Sequence, residues 1–262
     1  MRTFIATITA ITLSTGVIAA TSTAAEAKGK FSVTASASRT QLTLGSSFTL
    51  SGKVSPSAKG KKVTIQERLG AGSWKNLTTK TLSSSSKYSA TIKPRKAGAY
   101  SYRVVKAAGG SRAGGASVAK SVSIFRWRYL VDLPLSATVG NASEGTATIR
   151  GNQFDHSIRI GEGVADSGLT YLNQGCTAMT SIIGMGDLSA GDATASTGIS
   201  LVTGSGEGPL YHRTFVATSE PRFYTTETGL TTAKQIKISA TANSASAYAE
   251  IFWAEPQVYC KS

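Results

Sequence analysis

The sequence predicts an all-β protein made of two β-sandwiches in series, and three observations carry that reading. Apolar residues recur with period two in short bursts, as half-buried strands require to present one face to a core. Gly, Pro and Ser clusters bound those bursts, and long apolar runs of 3.6-residue period are few. The 27 glycines suit turns, and 40% hydrophobic residues in 262 supply material for two cores.

Charge divides the chain. Residues 28–125 hold eighteen lysines and arginines against one acid, Glu67, a net +17. Residues 126–262 hold nine basic and twelve acidic residues, a net −3, and the whole chain carries +14. A basic domain over 28–125 and a second domain over 126–262 are therefore expected, with a very short connection near Arg126–Arg128. Residues 1–27 read as a secretory signal. Arg2 opens it, Phe4–Ala20 is apolar and rich in small residues, and Ala25-Glu26-Ala27 is a small-x-small cleavage pattern. A membrane anchor is disfavoured because Thr and Ser interrupt the run and no stop-transfer charges follow at once. The mature chain is expected to be extracellular, associated with the cell wall, and without a transmembrane segment.

In the basic half the pairs and triplets Phe31/Val33, Phe48/Leu50/Val54, Val63/Ile65/Leu69, Tyr88/Ala90/Ile92, Tyr100/Tyr102/Val104 and Val122/Ile124 each place apolar side chains on one face. A further strand near Trp74–Thr81 brings the count to about seven, the number typical of an immunoglobulin-like sandwich. Ala107–Ala116 reads as a long hairpin loop, because Ser117–Phe125 still supplies a last strand. The segment Gly98-Ala99-Tyr100-Ser101-Tyr102-Arg103-Val104 resembles the strand after the tyrosine corner of such folds. Since no Cys–Trp–Cys core is present, the resemblance is to bacterial Ig-like modules, which implies a spacer or adhesion unit.

The second half is organised around Cys176–Phe215. It reads as an apolar strand, a Gly/Asp/Ser loop, a second strand, a tight Gly204-Ser205-Gly206 turn and a third strand, which predicts a β-meander. Ile158/Ile160, Ile182/Ile183, Ile199/Leu201, Phe215 and Ile236/Ile238 mark strand bursts, Gly229 marks a turn, and Pro256 suggests an edge strand. Four pieces follow in order. They are Tyr129-Leu130-Val131-Asp132-Leu133, Gly151-Asn152-Gln153-Phe154-Asp155-His156-Ser157-Ile158, Gly184-Met185-Gly186-Asp187, and Ala249-Glu250-Ile251-Phe252-Trp253-Ala254-Glu255-Pro256. This order resembles the NPCBM family of carbohydrate-binding modules found beside glycosidase domains. The glycines around Met185 and Glu255 in place of Asp depart from its pattern. The resemblance implies a jelly-roll, galactose-binding-like sandwich that binds sugar without chemistry.

Candidate chemistry is sparse. Cys176 and Cys260, the two cysteines of an exported chain, are expected to form a disulfide between the start of the meander and the last strand. Asp155-His156-Ser157 is no triad, because neighbouring strand residues point to opposite faces. Asp187, Asp192, Glu207 and Glu255 could serve a glycosidase, yet their spacing marks no acid/base pair. Two cysteines and two histidines lack metal-ligand spacing, and Asp187 with Asp192 are weak calcium candidates against the alternative of turn-forming aspartates. No cofactor is expected.

Sugar binding calls for an aromatic face and planar polar groups. Tyr129, Tyr171, Tyr211, Tyr224 and Trp253 are the aromatic candidates, with His156, Arg159 and Arg213 as polar partners. Trp253 is expected to pack in the sandwich, Tyr171 to lie exposed in a turn, and Trp74 to cap a hairpin or meet a ligand. The basic half should attract polyanions within about 8–10 Å at physiological salt, an anionic wall polymer first. Nucleic acid is disfavoured, because the cations lack interleaved aromatics. The expected function is non-catalytic binding of a polysaccharide or cell-wall glycan. The alternatives are a polysaccharide-degrading hydrolase and a surface adhesion protein that binds another protein.

Overall fold

The computed structural model describes residues 29–161, 167–226, 229–242 and 248–261, so the expected signal segment 1–27 lies outside the described residues. The basic half contains β1 (Ser32–Val33), β2 (Ser36–Ala37), β3 (Gln41–Thr43), β4 (Phe48–Ser55), β5 (Lys62–Leu69), β6 (Lys75–Thr81), β7 (Lys87–Ile92), β8 (Gly98–Lys106), β9 (Gly115–Ala116) and β10 (Lys120–Tyr129). In one sheet β4 pairs with β1, β2 and β7; in the other the order is β6-β5-β8-β10, with β3 parallel to β10. Alternation fixes which face is inside. Phe48, Leu50 and Ala90 from the first sheet meet Ile65, Tyr102, Val104 and Ile124 from the second in one core. Leu69 departs from the expected pattern: at the end of β5 it is 48% exposed, beside a groove described below.

The second half contains β11 (Leu135–Val139), β12 (Ala142–Ile149), β13 (Asn152–Ile160), β14 (Ser167–Leu172), β15 (Cys176–Met185), β16 (Thr194–Thr203), β17 (Gly206–Val216), β18 (Arg222–Thr226), β19 (Gln235–Ala242) and β20 (Ile251–Cys260), with single 3-10 turns at Leu130–Asp132 and Leu230–Thr232. One antiparallel sheet runs β12-β13-β20-β15-β18 and the other β11-β14-β19-β16-β17. Ile158, Met179, Ile183, Trp253 and Val258 of the first pack on Leu169, Ile199, Phe215, Ile236 and Ile238 of the second. The all-β sandwich expectation therefore holds in both halves.

Two local expectations are corrected. Cys176–Phe215 is not a meander, because β15 lies in one sheet and β16 and β17 in the other. The 186–193 loop crosses between them, held by Gly186 N–H donating to Glu250 O and Ala190 N–H to Tyr248 O, 2.9 Å each. Pro256 is not on an edge strand. β20 is central, pairing with β15 along its length and with β13, then β10, on its other flank. Pro256 is accommodated because the register shifts there and Glu255, at φ 48°, forms a bulge that frees the ladder position.

β10 joins the halves without a linker. Its first part pairs with β8 and β3, and Arg126–Tyr129 pairs with Gln257–Cys260 of β20. The expected boundary near Arg126–Arg128 thus falls inside a strand. Tyr259 stacks on Phe125 at a centroid distance of 5.0 Å and meets Trp127 tilted at 5.2 Å, and its hydroxyl meets Thr43 Oγ1 at 2.6 Å. The two main cores share no residue.

Buried phenols make the fold sensitive to alkali. Burial pushes Tyr88 and Tyr224 up from 10.0 to about 12, and Tyr88 donates to Thr34 O at 2.6 Å. The folded state favours their neutral forms, so their stabilisation is intact below pH 10 and is lost as pH rises toward 12. Urea midpoints measured across that window should fall with pH, and should fall less steeply in Y88F.

Candidate functional site

In the second sandwich a cleft of about 440 Å³ is lined by Thr146, Thr148, Arg159, Asp187, Leu188, Glu250 and Phe252. Alternation places it on the face away from the main core. Ile158, Ile160 and Trp253 point into that core, so Arg159 and Phe252 point the other way. Thr146 sits where β12 shifts register between Gly145 and Ala147, and such a bulge re-aims a side chain. Leu188, 77% exposed, overhangs the cleft from the 186–193 loop.

Arg159 and Glu250 on its wall are tied together and to Tyr248. Arg159 Nε donates to Glu250 Oε1 at 2.5 Å, Tyr248 donates to the same oxygen at 2.5 Å, and Arg159 Nη2 donates to the Tyr248 oxygen at 3.1 Å. Burial alone would lower the Arg159 pKa, but its bonds to Tyr248 and Glu250 outweigh this and hold it above the usual value. The Tyr248 phenol is raised mainly because its proton is given to Glu250. Glu250 is itself 5% exposed, so its charge is compensated where it is desolvated. Glu250 Oε2 and the hydroxyls of Thr146 and Thr148 hold no bond among the described residues, leaving acceptors and donors open to the cleft.

Asp187 is occupied otherwise. Its Oδ1 accepts the N–H of Arg150 at 2.5 Å and its Oδ2 that of Gly151 at 2.7 Å. Arg150 and Gly151 are the two turn residues of the β12–β13 hairpin, at φ 51° and 73°, so the carboxylate satisfies the donors of a tight turn. Asp187 thus has the turn-forming role set against calcium in the sequence reading, and Asp192 is exposed further along the loop. No group of three or more His, Cys, Asp or Glu suited to a metal occurs among the described residues. D187A should cost about 1–2 kcal/mol by stranding those donors, while chelator should leave the melting temperature of the wild type unmoved. Both are read by thermal unfolding.

The other sequence candidates fall in separate places. Tyr129 and His156 stack at 3.7 Å with an interplanar angle of 6°, and Glu255 Oε1 accepts the His156 N–H at 3.2 Å. Ser157, next to His156, is buried on the face of β13 that Arg159 shares, opposite to that of His156, as the argument against a triad requires. Tyr211, Tyr224 and Trp253 come together as one cluster, with Arg213 exposed near Phe215. Tyr171 is not in an exposed turn. It lies on β14, fully buried, and donates to Glu144 Oε1 at 2.7 Å. Trp253 is fully buried, as its flanking Phe252 suggested. The candidate glycosidase acids have unrelated partners: Asp187 caps the hairpin, Glu207 pairs with Lys237 at 3.1 Å, and Glu255 meets His156. Of the sugar-contact candidates only Arg159 lines the cleft. Thr146, Thr148, Tyr248 and Glu250 were missed, and Glu250 alone lay inside a quoted motif.

No protein-family model matches the chain, and no curated protein matches it. Similar solved structures include carbohydrate-binding modules. The CBM22-1 and GH10 modules of a Clostridium thermocellum xylanase with xylohexaose align at 16% identity, TM-score 0.30, over 46% of this chain and 25% of that one. The CBM22-1 xylan-binding domain from Paenibacillus barcinonensis aligns at 11% identity, TM-score 0.33, over 48% of this chain and 86% of that one. The module TmCBM61 with β-1,4-galactotriose aligns at 11% identity, TM-score 0.29, over 52% and 88%. Likenesses this weak do not establish shared ancestry or a shared ligand, so function rests on the residues of the cleft.

Proposed function

We propose that residues 126–262 act as a non-catalytic glycan-binding module of a secreted, wall-associated protein, with the basic half adding adhesion to anionic polymers. The observation that carries the reading is the Arg159–Glu250–Tyr248 wall with Glu250 Oε2 and two threonine hydroxyls left open beside it. Sugar hydroxyls are recognised by planar, fixed donors and acceptors, and a cleft of roughly 300–1,000 Å³ is the usual size for a small ligand or one end of a chain. Leu188, which is 77% exposed, adds apolar surface for the C–H face of a ring, over a floor backed by the buried Phe252.

The same wall speaks against hydrolysis. A glycosidase keeps one carboxyl protonated to donate to the leaving oxygen and a second about 5–9.5 Å away as base or nucleophile. Here Glu250 Oε1 is held by a guanidinium and a phenol, and both oxygens of Asp187 are taken by backbone N–H groups. That leaves Glu250 Oε2 as the one unbonded carboxylate oxygen of the two residues, short of the two available carboxyl groups that hydrolysis requires.

A glycan array probed with the full chain tests the reading. The expected result is retention on at least one neutral polysaccharide without release of reducing ends, weakened about tenfold in T146A/T148A with an unchanged melting temperature. Both threonines are exposed, so that variant leaves folding intact. A blank array, or binding indifferent to the double substitution, overturns the assignment.

A further inference from the structure

The basic half holds a larger groove, about 820 Å³, which runs along the open seam of its sandwich. Among the described residues β6 pairs only with β5 and β7 only with β4, so both are edge strands, one from each sheet. Arg68, Lys75 and Lys80 line the groove from the β5–β6 side, and Lys93, Arg95 and Lys96 from the segment after β7. Glu67 is the one acid in its lining, and none of these six cations forms an ion pair among the described residues. Between the cations lie Leu69 and Leu77, 48% and 40% exposed, together with Pro94 and Tyr100. Trp74 steadies the wall: the Arg68 and Arg103 guanidinium carbons sit 4.8 and 4.3 Å from its ring centroid.

Lysines on an edge strand can serve merely to discourage pairing with another chain. That purpose explains Lys75 and Lys80 on β6. It does not require Lys93, Arg95 and Lys96, which follow β7, to converge on the same groove from the opposite sheet. Six like charges focused on one cleft repel one another, and Glu67 alone among the lining residues carries the opposite sign.

The geometry points to this groove as a binding site for a linear acidic polysaccharide. The charged substituents of the chain lie against the two cationic rims, and the C–H faces of its rings cover Leu69, Leu77 and Tyr100. A strand of seven residues extends about 23 Å, which suits a polymer rather than a single ring. Tyr100, the one aromatic in the lining, is already stacked on Tyr102 at 5.9 Å, so the groove has no ladder for nucleic-acid bases. The assignment rests on the adhesive reading of the basic half and is independent of the second sandwich's cleft.

The test uses the full chain and polygalacturonate, with heparin as the sulfate-bearing counterpart and poly(dT) as the nucleic-acid control. Binding by the wild type should weaken steeply with salt. K93S/R95S/K96S, all exposed positions, should weaken it about tenfold, roughly 1.4 kcal/mol. K59S/K61S/K62S, with the same loss of charge outside the groove, should stay within about twofold of the wild type. Equal losses from both charge triples overturn the groove while leaving diffuse adhesion standing. Absence of wild-type binding to either polysaccharide overturns both. Tighter binding of poly(dT) than of the polysaccharides overturns the ligand class.

Discussion

Trp253→Ala should destabilise the second sandwich by about 3–5 kcal/mol, the range for deleting a fully buried large aromatic. Trp253 sits on β20 with no exposed surface, and its ring meets Tyr224 at 5.6 Å and Tyr211 at 6.0 Å, both edge-on. Its Nε1–H donates to Thr197 Oγ1 at 2.8 Å, which crosses from one sheet to the other. Thr197 in turn donates to Ser239 O at 2.7 Å, tying β16 to β19. The truncation therefore opens a cavity between the sheets and removes a buried donor together. Trp253→Phe separates the two effects: it keeps most of the volume and loses the donor, and should cost about 1–2 kcal/mol. Denaturant midpoints give both values. Because the two cores share no residue, a second transition belonging to the basic sandwich should stay in place. A joint shift of both would show that β10, paired on both sides of Arg126, couples the halves into one cooperative unit.

How much of this was legible in the sequence depended on whether a feature is local. Strand alternation is set residue by residue, so Phe48/Leu50, Val63/Ile65 and Ile236/Ile238 are buried where the pattern placed them. Sheet membership is not local. The eight residues 186–193 read equally as a hairpin loop or as a crossing, and only the bonds of that loop to β20 and its neighbours separate the two. The cleft was less legible again. Tyr248 and Glu250 are close to each other in sequence, but Arg159 lies 91 residues from Glu250. Thr146 is aimed by a bulge that no composition signal marks. Aromatic content led to Tyr171 and Trp253, yet an aromatic's bulk is as useful to a core as to a sugar, and here the core took both. Charge asymmetry was plain from composition, whereas its concentration in one seam needed the two edge strands to be placed side by side.

Removing the Cys176–Cys260 bridge should have an effect of similar size through a different cause. The cysteines lie 84 residues apart and are direct cross-strand partners on β15 and β20, as their pairing in the sequence led one to expect. Closing so long a loop limits the unfolded chain by about 4–5 kcal/mol in the chain-entropy picture, and measured losses run about 2–5 kcal/mol. The bridge stands at the end of β20, where Cys260 pairs with Arg126 on one flank and Cys176 on the other. It therefore fastens the strand that β10 also joins, so its loss should loosen the junction as well as the second core. C176A/C260A is the variant of choice, since serines would bury two hydroxyls without partners. Its urea midpoint should drop while its slope rises little if the unfolded state expands only modestly. Both sulfurs are fully buried, so in the folded wild type thiol labelling should be negligible with mild reductant and complete once denaturant is added. Rapid labelling without denaturant would mean that the junction opens on its own, and the stabilisation assigned to the bridge would then have to be smaller.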